Sequence, residues 1–168
     1  TEDPNDPLYE NYIWPQEQDI EENIEGTHFN SFFVGNEVDH YGKLMGMGIF
    51  CHELGHALGL PDFYNTNPYV TLPRNPFGFW SIMDAGPYVN RANAPIGYTA
   101  YERSYLGWLK IKELTEPETV KLDPVSNKEG QLAAIVRSPN SRLEYFILEN
   151  RTSDTWYPKE YKENRGGG

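Results

Sequence analysis

Two histidines and a glutamate stand together in the sequence at a spacing that suits a metal ion. His52 and His56 are four residues apart, and Glu53 directly follows the first of them. On an α-helix, residues four apart share one face, so both imidazoles can bind one zinc ion at ~2.0–2.1 Å. Glu53 is turned ~100° around the helix from His52, where it can hold a water molecule on the metal as a general base. The spacing therefore predicts a zinc centre that activates water for hydrolysis, whereas the alternative is an exposed helix without a metal.

A catalytic zinc centre needs a third protein ligand. Gly59 is placed to end the helix, and Asp62, six positions after His56, can then return towards the metal. In the extended pattern H-E-x-x-H-x-x-G-x-x-H the third ligand stands at this position, and a carboxylate is a suitable zinc ligand. The alternative is that Asp62 caps a turn or binds calcium while the third ligand lies elsewhere. We expect His28 and His40 to be surface or hydrogen-bonded side chains.

Two residues of the following loop are further candidates. Met83, within Trp80–Asp84, lies 21 residues after Asp62 and suits a turn whose thioether packs beneath the imidazoles. Its alternative role is that of an ordinary core methionine. Tyr88, five residues later, is a candidate for a hydroxyl that stabilises the oxyanion, with packing or substrate lining as the alternatives.

The elements that must position these residues follow from periodicity and turn signals. Apolar residues at helical steps predict a helix over 44–58 that carries the motif. A Thr-x-x-Glu capping box from Thr99 to Glu102 predicts a second helix over 100–106. The other predicted segments are an extended piece over 29–34, a long functional loop over 60–97, a strand over 118–122, and a hairpin of strands over 131–137 and 143–149.

Composition bounds the function of the 168-residue chain, whose length suggests one domain. The net charge of −11 argues against a nucleic-acid partner. Eleven of the 25 acidic residues lie in residues 1–42, which contain no Lys or Arg. They predict a solvated acidic face, an oxygen-rich calcium site or a repulsive flank. No apolar run is long enough for a membrane span, and no signal peptide is recognisable. The single cysteine, Cys51, excludes an intrachain disulfide.

Four stretches of the sequence resemble the M6 family of secreted bacterial metallopeptidases, the immune inhibitor A type. They are residues 46–64 with the His-Glu motif, residues 80–84, residues 101–109 and residues 145–151. The resemblance implies a zinc endopeptidase that acts on a protein or peptide substrate, is exported to the medium or the cell surface, and often binds calcium. It also implies an α+β fold, with a metzincin-like zincin domain made of a zinc helix, a methionine turn and a second helix, followed by β-strands.

The chain departs from that family in two places. Asn65 stands where the family has a carboxylate, which weakens a calcium site there. About forty residues precede the predicted helix that carries the motif, fewer than the family's N-terminal strands and backing helix need. We therefore expect an incomplete N-terminal sheet and a chain that is part of a longer polypeptide. The predicted division is an acidic irregular arm over 1–28, a zinc-binding catalytic core over 29–112, and a β-rich remainder of the same domain over 113–168.

Two other functions compete with peptide hydrolysis. The first is a catalytically silent binding or adhesion module that keeps the zincin fold, although Glu53 and both histidines of the motif are intact. The second is a zinc hydrolase that acts on a bond other than a peptide bond. Digestion of a peptide library separates these three functions.

Overall fold

The computed structural model describes residues 15–38, 42–67, 69 and 71–152. The chain divides into two compact units with the boundary between Ile96 and Gly97. The first unit contains a β-hairpin and the helix with the His-Glu motif, and the second contains a short helix and a small sheet. The mixed α+β composition agrees with the prediction. The finer division predicted at residues 28/29 and 112/113 stays a prediction.

An antiparallel hairpin precedes the motif helix. Strand β1 (Gln16–Ile24) pairs with strand β2 (Thr27–Val34), and a bulge interrupts the register between Asp19 and Glu22. The two loop residues, Glu25 and Gly26, have φ values of 49° and 82°, as in the type I′ turns that match the twist of paired strands. The extended segment predicted over 29–34 is confirmed within β2. The irregular arm predicted over 1–28 is wrong for β1 and the start of β2, while residues 1–14 lie outside the described part of the chain.

Helix α1 (Gly48–Ala57) carries the motif and is shorter than the predicted span of 44–58. It begins at Gly48 because a loop segment from residue 86 to residue 92 packs directly against this end. A Cβ atom on Gly48 would lie 2.0 Å from the carbonyl oxygen of Pro87, and the Gly48 N–H donates to the carbonyl of Ala92 at 2.9 Å. Glycine, which has no Cβ atom, therefore allows this close contact.

The long loop predicted over 60–97 is present and contains two short 3₁₀ helices, Gly78–Trp80 and Gly86–Tyr88. Between them, residues 82–85 form a turn whose side chains are largely buried. The hairpin packs on the helix through an edge-to-face contact of Phe33 and Phe50, with ring centroids 5.0 Å apart. The buried apolar residues of this first unit are Ile49, Leu60, Ile82, Met83, Ala92 and Ile96.

The second unit begins with helix α2 (Ala100–Tyr105), close to the predicted span of 100–106. Its capping box is confirmed: the N–H of Glu102 donates to the Thr99 hydroxyl at 3.1 Å, and the Glu102 carboxylate accepts the N–H of Thr99. The N–H of Ala100 also donates to the Glu149 carboxylate at 2.6 Å, which ties the start of α2 to the last described strand.

A three-stranded sheet completes this unit. Strand β3 (Lys112–Glu113) runs parallel to β4 (Ala133–Arg137), and β4 pairs antiparallel with β5 (Tyr145–Glu149). The predicted hairpin is confirmed, but the strand predicted over 118–122 is wrong, because β3 takes the place beside β4. The unit's core is formed by Ala100, Val125 and Ala133, with Leu109, Ile111 and Ile147 against them. In the described ranges, no helix has the length and apolar character needed to cross a membrane.

Candidate metal centre

The end of helix α1 turns the chain back towards the motif. Gly59 has a φ of 96°, and its N–H donates to the carbonyl of His56 at 2.7 Å. The N–H of Leu60 donates to the carbonyl of Gly55 at 2.9 Å, so the helix ends in a Schellman motif. The left-handed conformation favours glycine at this position. After this reversal Asp62 lies beside the two histidines, as its spacing predicts.

Three potential ligand atoms converge at this point. The Nε2 atoms of His52 and His56 are 3.1 Å apart, and each lies 3.2 Å from Oδ1 of Asp62. Among the described residues, this is the group of three His, Cys, Asp or Glu side chains whose ligand atoms lie close enough to share one ion. His52 is buried, and the other two side chains are half-buried.

Main-chain carbonyls determine which imidazole nitrogens are available. Nδ1 of His52 lies 2.9 Å from the carbonyl oxygen of Ile82, and Nδ1 of His56 lies 2.8 Å from that of Leu60. A carbonyl oxygen only accepts hydrogen bonds, so each Nδ1 carries the proton. In the neutral rings each Nε2 therefore presents a lone pair to the other ring and to Asp62.

This arrangement fits a cation. Two imidazole lone pairs and a carboxylate oxygen at such distances repel one another unless a positive charge lies between them, and the buried Oδ1 of Asp62 accepts no hydrogen bond. Tetrahedral ligands at ~2.0–2.1 Å from zinc are ~3.3–3.4 Å apart, close to the separations observed here. The donor set of two imidazoles and one carboxylate, with Nδ1–H groups held by outer acceptors, suits zinc.

The electrostatics of the three residues are coupled. Burial alone would raise the pKa of the Asp62 carboxyl, but the adjacent His52 and His56 outweigh burial and hold it well below its usual range. In turn, the carboxylate of Asp62 raises the pKa of His56 against the opposing effect of burial. Asp62 is therefore an anion at neutral pH. A proton on the imidazoles would compete with a metal ion for the same site.

Glu53 lies beside these ligands with its side chain buried. Burial raises the pKa of its carboxyl group, while the two imidazoles oppose the shift and Asp62 adds to it. Its carboxylate also accepts the backbone N–H of Glu17, on strand β1. A carboxylate that is more basic than usual and held by a fixed donor suits a general base.

Met83 lies in the turn over residues 82–85 and is fully buried. The carbonyl of Ile82 in this turn holds His52, and the carbonyl of Met83 accepts the N–H of Phe63 at 2.8 Å, directly after Asp62. One turn therefore supports ligands on both sides of the helix end. Whether the Met83 thioether forms the floor of a methionine turn stays a prediction.

Asp84 is the carboxylate residue of the turn over residues 82–85, and its partners lie in the preceding loop. Its Oδ1 accepts the side-chain amide of Asn75 at 2.6 Å, and its Oδ2 accepts the N–H groups of Phe77 and Gly78 at 2.8 and 3.0 Å. The carboxylate is therefore occupied in holding the loop that leads to the turn, and is not directed at the candidate ligands.

Two tyrosines border the centre. Tyr88, the candidate from the sequence, lies at the end of a 3₁₀ helix, is largely exposed, and interacts electrostatically with Tyr64. Tyr64 was not singled out from the sequence. Its ring stacks on His52 with centroids 6.3 Å apart, and its hydroxyl hydrogen-bonds to Asp62. Burial, reinforced by the charge of Asp62, raises the pKa of Tyr64 to about 12. The signal that was available is its position two residues after Asp62, within the stretch that resembles the family.

The remaining ligand expectations concern other residues. The Oδ1 of Asn65 accepts the N–H of Asn67 at 3.0 Å, and the calcium ion implied by the resemblance stays a prediction. On the exposed hairpin, Nε2 of His28 lies 3.4 Å from the carboxylate of Glu21. His40 lies outside the described residues.

The converging side chains define the chain as a candidate metalloprotein. Comparison with known protein families identifies the family to which it belongs. The family model described as "Immune inhibitor A peptidase M6, catalytic domain" matches residues 10–110. The chain therefore belongs to the M6 peptidase family, as its motifs predict.

Two individual proteins are also similar to the chain, at low sequence identity. The chain is similar to the "Pre-pro-metalloprotease PrtV" of Vibrio cholerae serotype O1 in two strains, with 27% identity over 141 residues. The match covers 72% of this chain but 15% of the length of each relative. No solved structure matches the chain significantly.

Proposed function

We propose that this chain is the catalytic part of a zinc-dependent endopeptidase. The observation that carries the proposal is the convergence of two imidazole nitrogens and one carboxylate oxygen within 3.1–3.2 Å of one another, beside a buried glutamate. Membership of a peptidase family supports it, as does similarity to proteins named metalloproteases. Because the chain aligns with 15% of the length of those proteins, the activity of the whole protein is part of the proposal.

The residues divide the chemistry between them. His52, His56 and Asp62 hold the zinc ion, which when bound supplies a Lewis acid that activates water and polarises a peptide carbonyl. The buried carboxylate of Glu53 takes a proton from the attacking water and later gives it to the leaving amine nitrogen. The hydroxyl of Tyr88 donates a hydrogen bond to the oxyanion that forms at the carbonyl. No covalent bond between enzyme and substrate is formed.

The proposal also covers the substrate class and the location of the protein. The substrate is a protein or peptide, and the chain acts as part of a longer polypeptide that a bacterium exports to its surface or surroundings. The words "Pre-pro" in the name of the relatives support a precursor of this kind. A bound calcium ion is included on the strength of the family resemblance alone.

The test is digestion of a broad peptide library by the full-length, zinc-loaded protein, with new termini identified by mass spectrometry. We expect cleavage at internal peptide bonds. Glu53→Gln should keep the zinc content of the parent and reduce turnover by ~10²–10⁴-fold, because the amide cannot act as the base. Glu116→Gln, the same change at an exposed position, is the matched control and should leave turnover unchanged.

Three outcomes would contradict the proposal in different ways. A zinc-loaded parent that cleaves no peptide but binds protein would point to the silent binding module. Hydrolysis of ester or other non-peptide substrates without peptide cleavage would point to the second alternative. Near-normal peptide turnover by Glu53→Gln would leave a peptidase but remove Glu53 from the mechanism.

A further inference from the structure

Tyr64 contacts two of the three candidate ligands at once. Its ring lies nearly parallel to that of His52, with an interplanar angle of 21° and a centroid distance of 6.3 Å. Its hydroxyl forms a hydrogen bond with the carboxylate of Asp62. The side chain is half-buried, so both contacts are formed in partly desolvated surroundings. Neither contact involves Glu53, the proposed general base, or Tyr88.

The direction of the hydrogen bond follows from the groups involved. An ionised carboxylate can only accept, so the phenol of Tyr64 must donate. A hydrogen bond to an ionised acceptor is stronger than one between neutral groups, and it limits rotation of the carboxylate. The Oδ1 atom of Asp62, which lies 3.2 Å from both imidazole Nε2 atoms, accepts no hydrogen bond of its own.

The carboxylate of Asp62 needs such a restraint. The two imidazoles are each fixed through Nδ1 by a main-chain carbonyl at 2.8–2.9 Å. Asp62 instead follows the helix end on a loop, and the phenol of Tyr64 gives its carboxylate a hydrogen bond from outside the ligand set. Outer hydrogen bonds of this kind commonly change metal affinity by ~10–100-fold when they are removed.

We propose that Tyr64 is a positioning residue of the metal centre, whose hydroxyl orients the Asp62 carboxylate so that Oδ1 faces the two imidazoles. The ring holds the plane of His52 by stacking, and the hydroxyl holds the third ligand. This role rests on the metal-binding part of the proposed function and adds to it a residue outside the ligand set. It does not depend on the bond that the enzyme cleaves.

The test compares zinc affinities in the full-length protein by competition with a chelator. Tyr64→Phe keeps the ring and removes the hydroxyl, and we expect zinc to bind about 10- to 100-fold more weakly. Tyr69→Phe is the matched control, because Tyr69 lies on the same loop and is 94% exposed. The cobalt-substituted Tyr64→Phe variant should also show an altered visible absorption spectrum, which a purely structural role at a distance would not produce.

A double-mutant cycle isolates the contact. If the hydroxyl acts through the carboxylate, Tyr64→Phe should weaken zinc binding much less in an Asp62→Asn background than in the parent. Parental zinc affinity and cobalt spectrum in Tyr64→Phe would overturn this proposal and leave the proposed function intact. Equal effects in both backgrounds would likewise overturn it. A parent protein that binds no stoichiometric zinc would overturn both proposals.

Discussion

Gly48 is a position at which a single methyl group should disturb the candidate metal centre through the backbone alone. A Cβ atom there lies 2.0 Å from the carbonyl oxygen of Pro87 and 3.2 Å from the Cα of Ala92. Because real Cβ atoms essentially never approach closer than 3.0 Å, Gly48→Ala must separate the start of α1 from the 86–92 segment by about 1 Å. The backbone hydrogen bond from Gly48 to Ala92, now 2.9 Å, lengthens or breaks.

The displacement reaches the ligands by a short route. His52 lies one helical turn after Gly48, and its Nδ1 bonds to Ile82 in the turn that precedes the displaced segment. A shift of about 1 Å exceeds the ~0.2 Å within which metal–ligand distances are normally held. We expect weaker zinc binding and a loss of turnover of about 10²-fold, the cost typical of a 1 Å misplacement. An overpacking cost of ~1–3 kcal/mol corresponds to a Tm about 2–12 °C lower for a chain of this size.

The measurements are thermal unfolding, chelator competition for zinc, and peptide turnover in the full-length protein. Gly35→Ala is the matched control, because its Cβ would meet a side chain and not the backbone: the ring edge of Phe33 at 3.1 Å, a contact that a shift of a few tenths of an ångström relieves. We expect Gly35→Ala to resemble the parent in all three measurements. Parental Tm, zinc affinity and turnover in Gly48→Ala would refute the close packing of α1 on the 86–92 segment.

Three further predictions test separate contacts. His52→Ala should abolish stoichiometric zinc binding, which elemental analysis measures. Asp62→Ala should sharply weaken zinc binding, which chelator competition measures. Full zinc occupancy in both variants would place the metal elsewhere. Glu17→Pro removes the N–H that donates to Glu53 and should lower kcat about tenfold relative to Glu17→Ala, which keeps that N–H. Zinc content should be equal in these two variants, and equal kcat would contradict the contact. Thr99→Ala should destabilise the protein by about 1 kcal/mol in urea denaturation by removing the helix cap, and an unchanged midpoint would contradict that cap.

Features encoded by near neighbours in the chain are those that the sequence predicts well. The Thr99–Glu102 capping box forms as expected, and Gly59 adopts the left-handed conformation that ends the motif helix. Asp62 lies beside the histidines because the helix end that Gly59 makes is itself a local structure. In each case the interacting groups lie within ten positions of one another, so spacing alone specifies the geometry.

Features that depend on distant backbone are those that the sequence does not predict. Strand β1 contains four carboxylates and little alternation, and it forms because β2 offers a partner with three phenylalanines. Helix α1 starts at Gly48 because of a loop some forty residues later. The contacts of Tyr64 with His52 and of Glu17 with Glu53 need the tertiary structure, since spacing does not reveal which rings stack or which N–H reaches the base.

The acceptors that orient the two imidazoles belong to the main chain, at Ile82 and Leu60. Every amino acid carries such a carbonyl, so a mutation at either position changes a side chain without deleting the acceptor. The orientation of the two imidazoles therefore depends on the path of the backbone, and side-chain substitutions at these two positions leave it unchanged as long as that path is kept. Proteins that share 27% identity, as this chain and its Vibrio relatives do, can keep such an orientation while the surrounding side chains diverge.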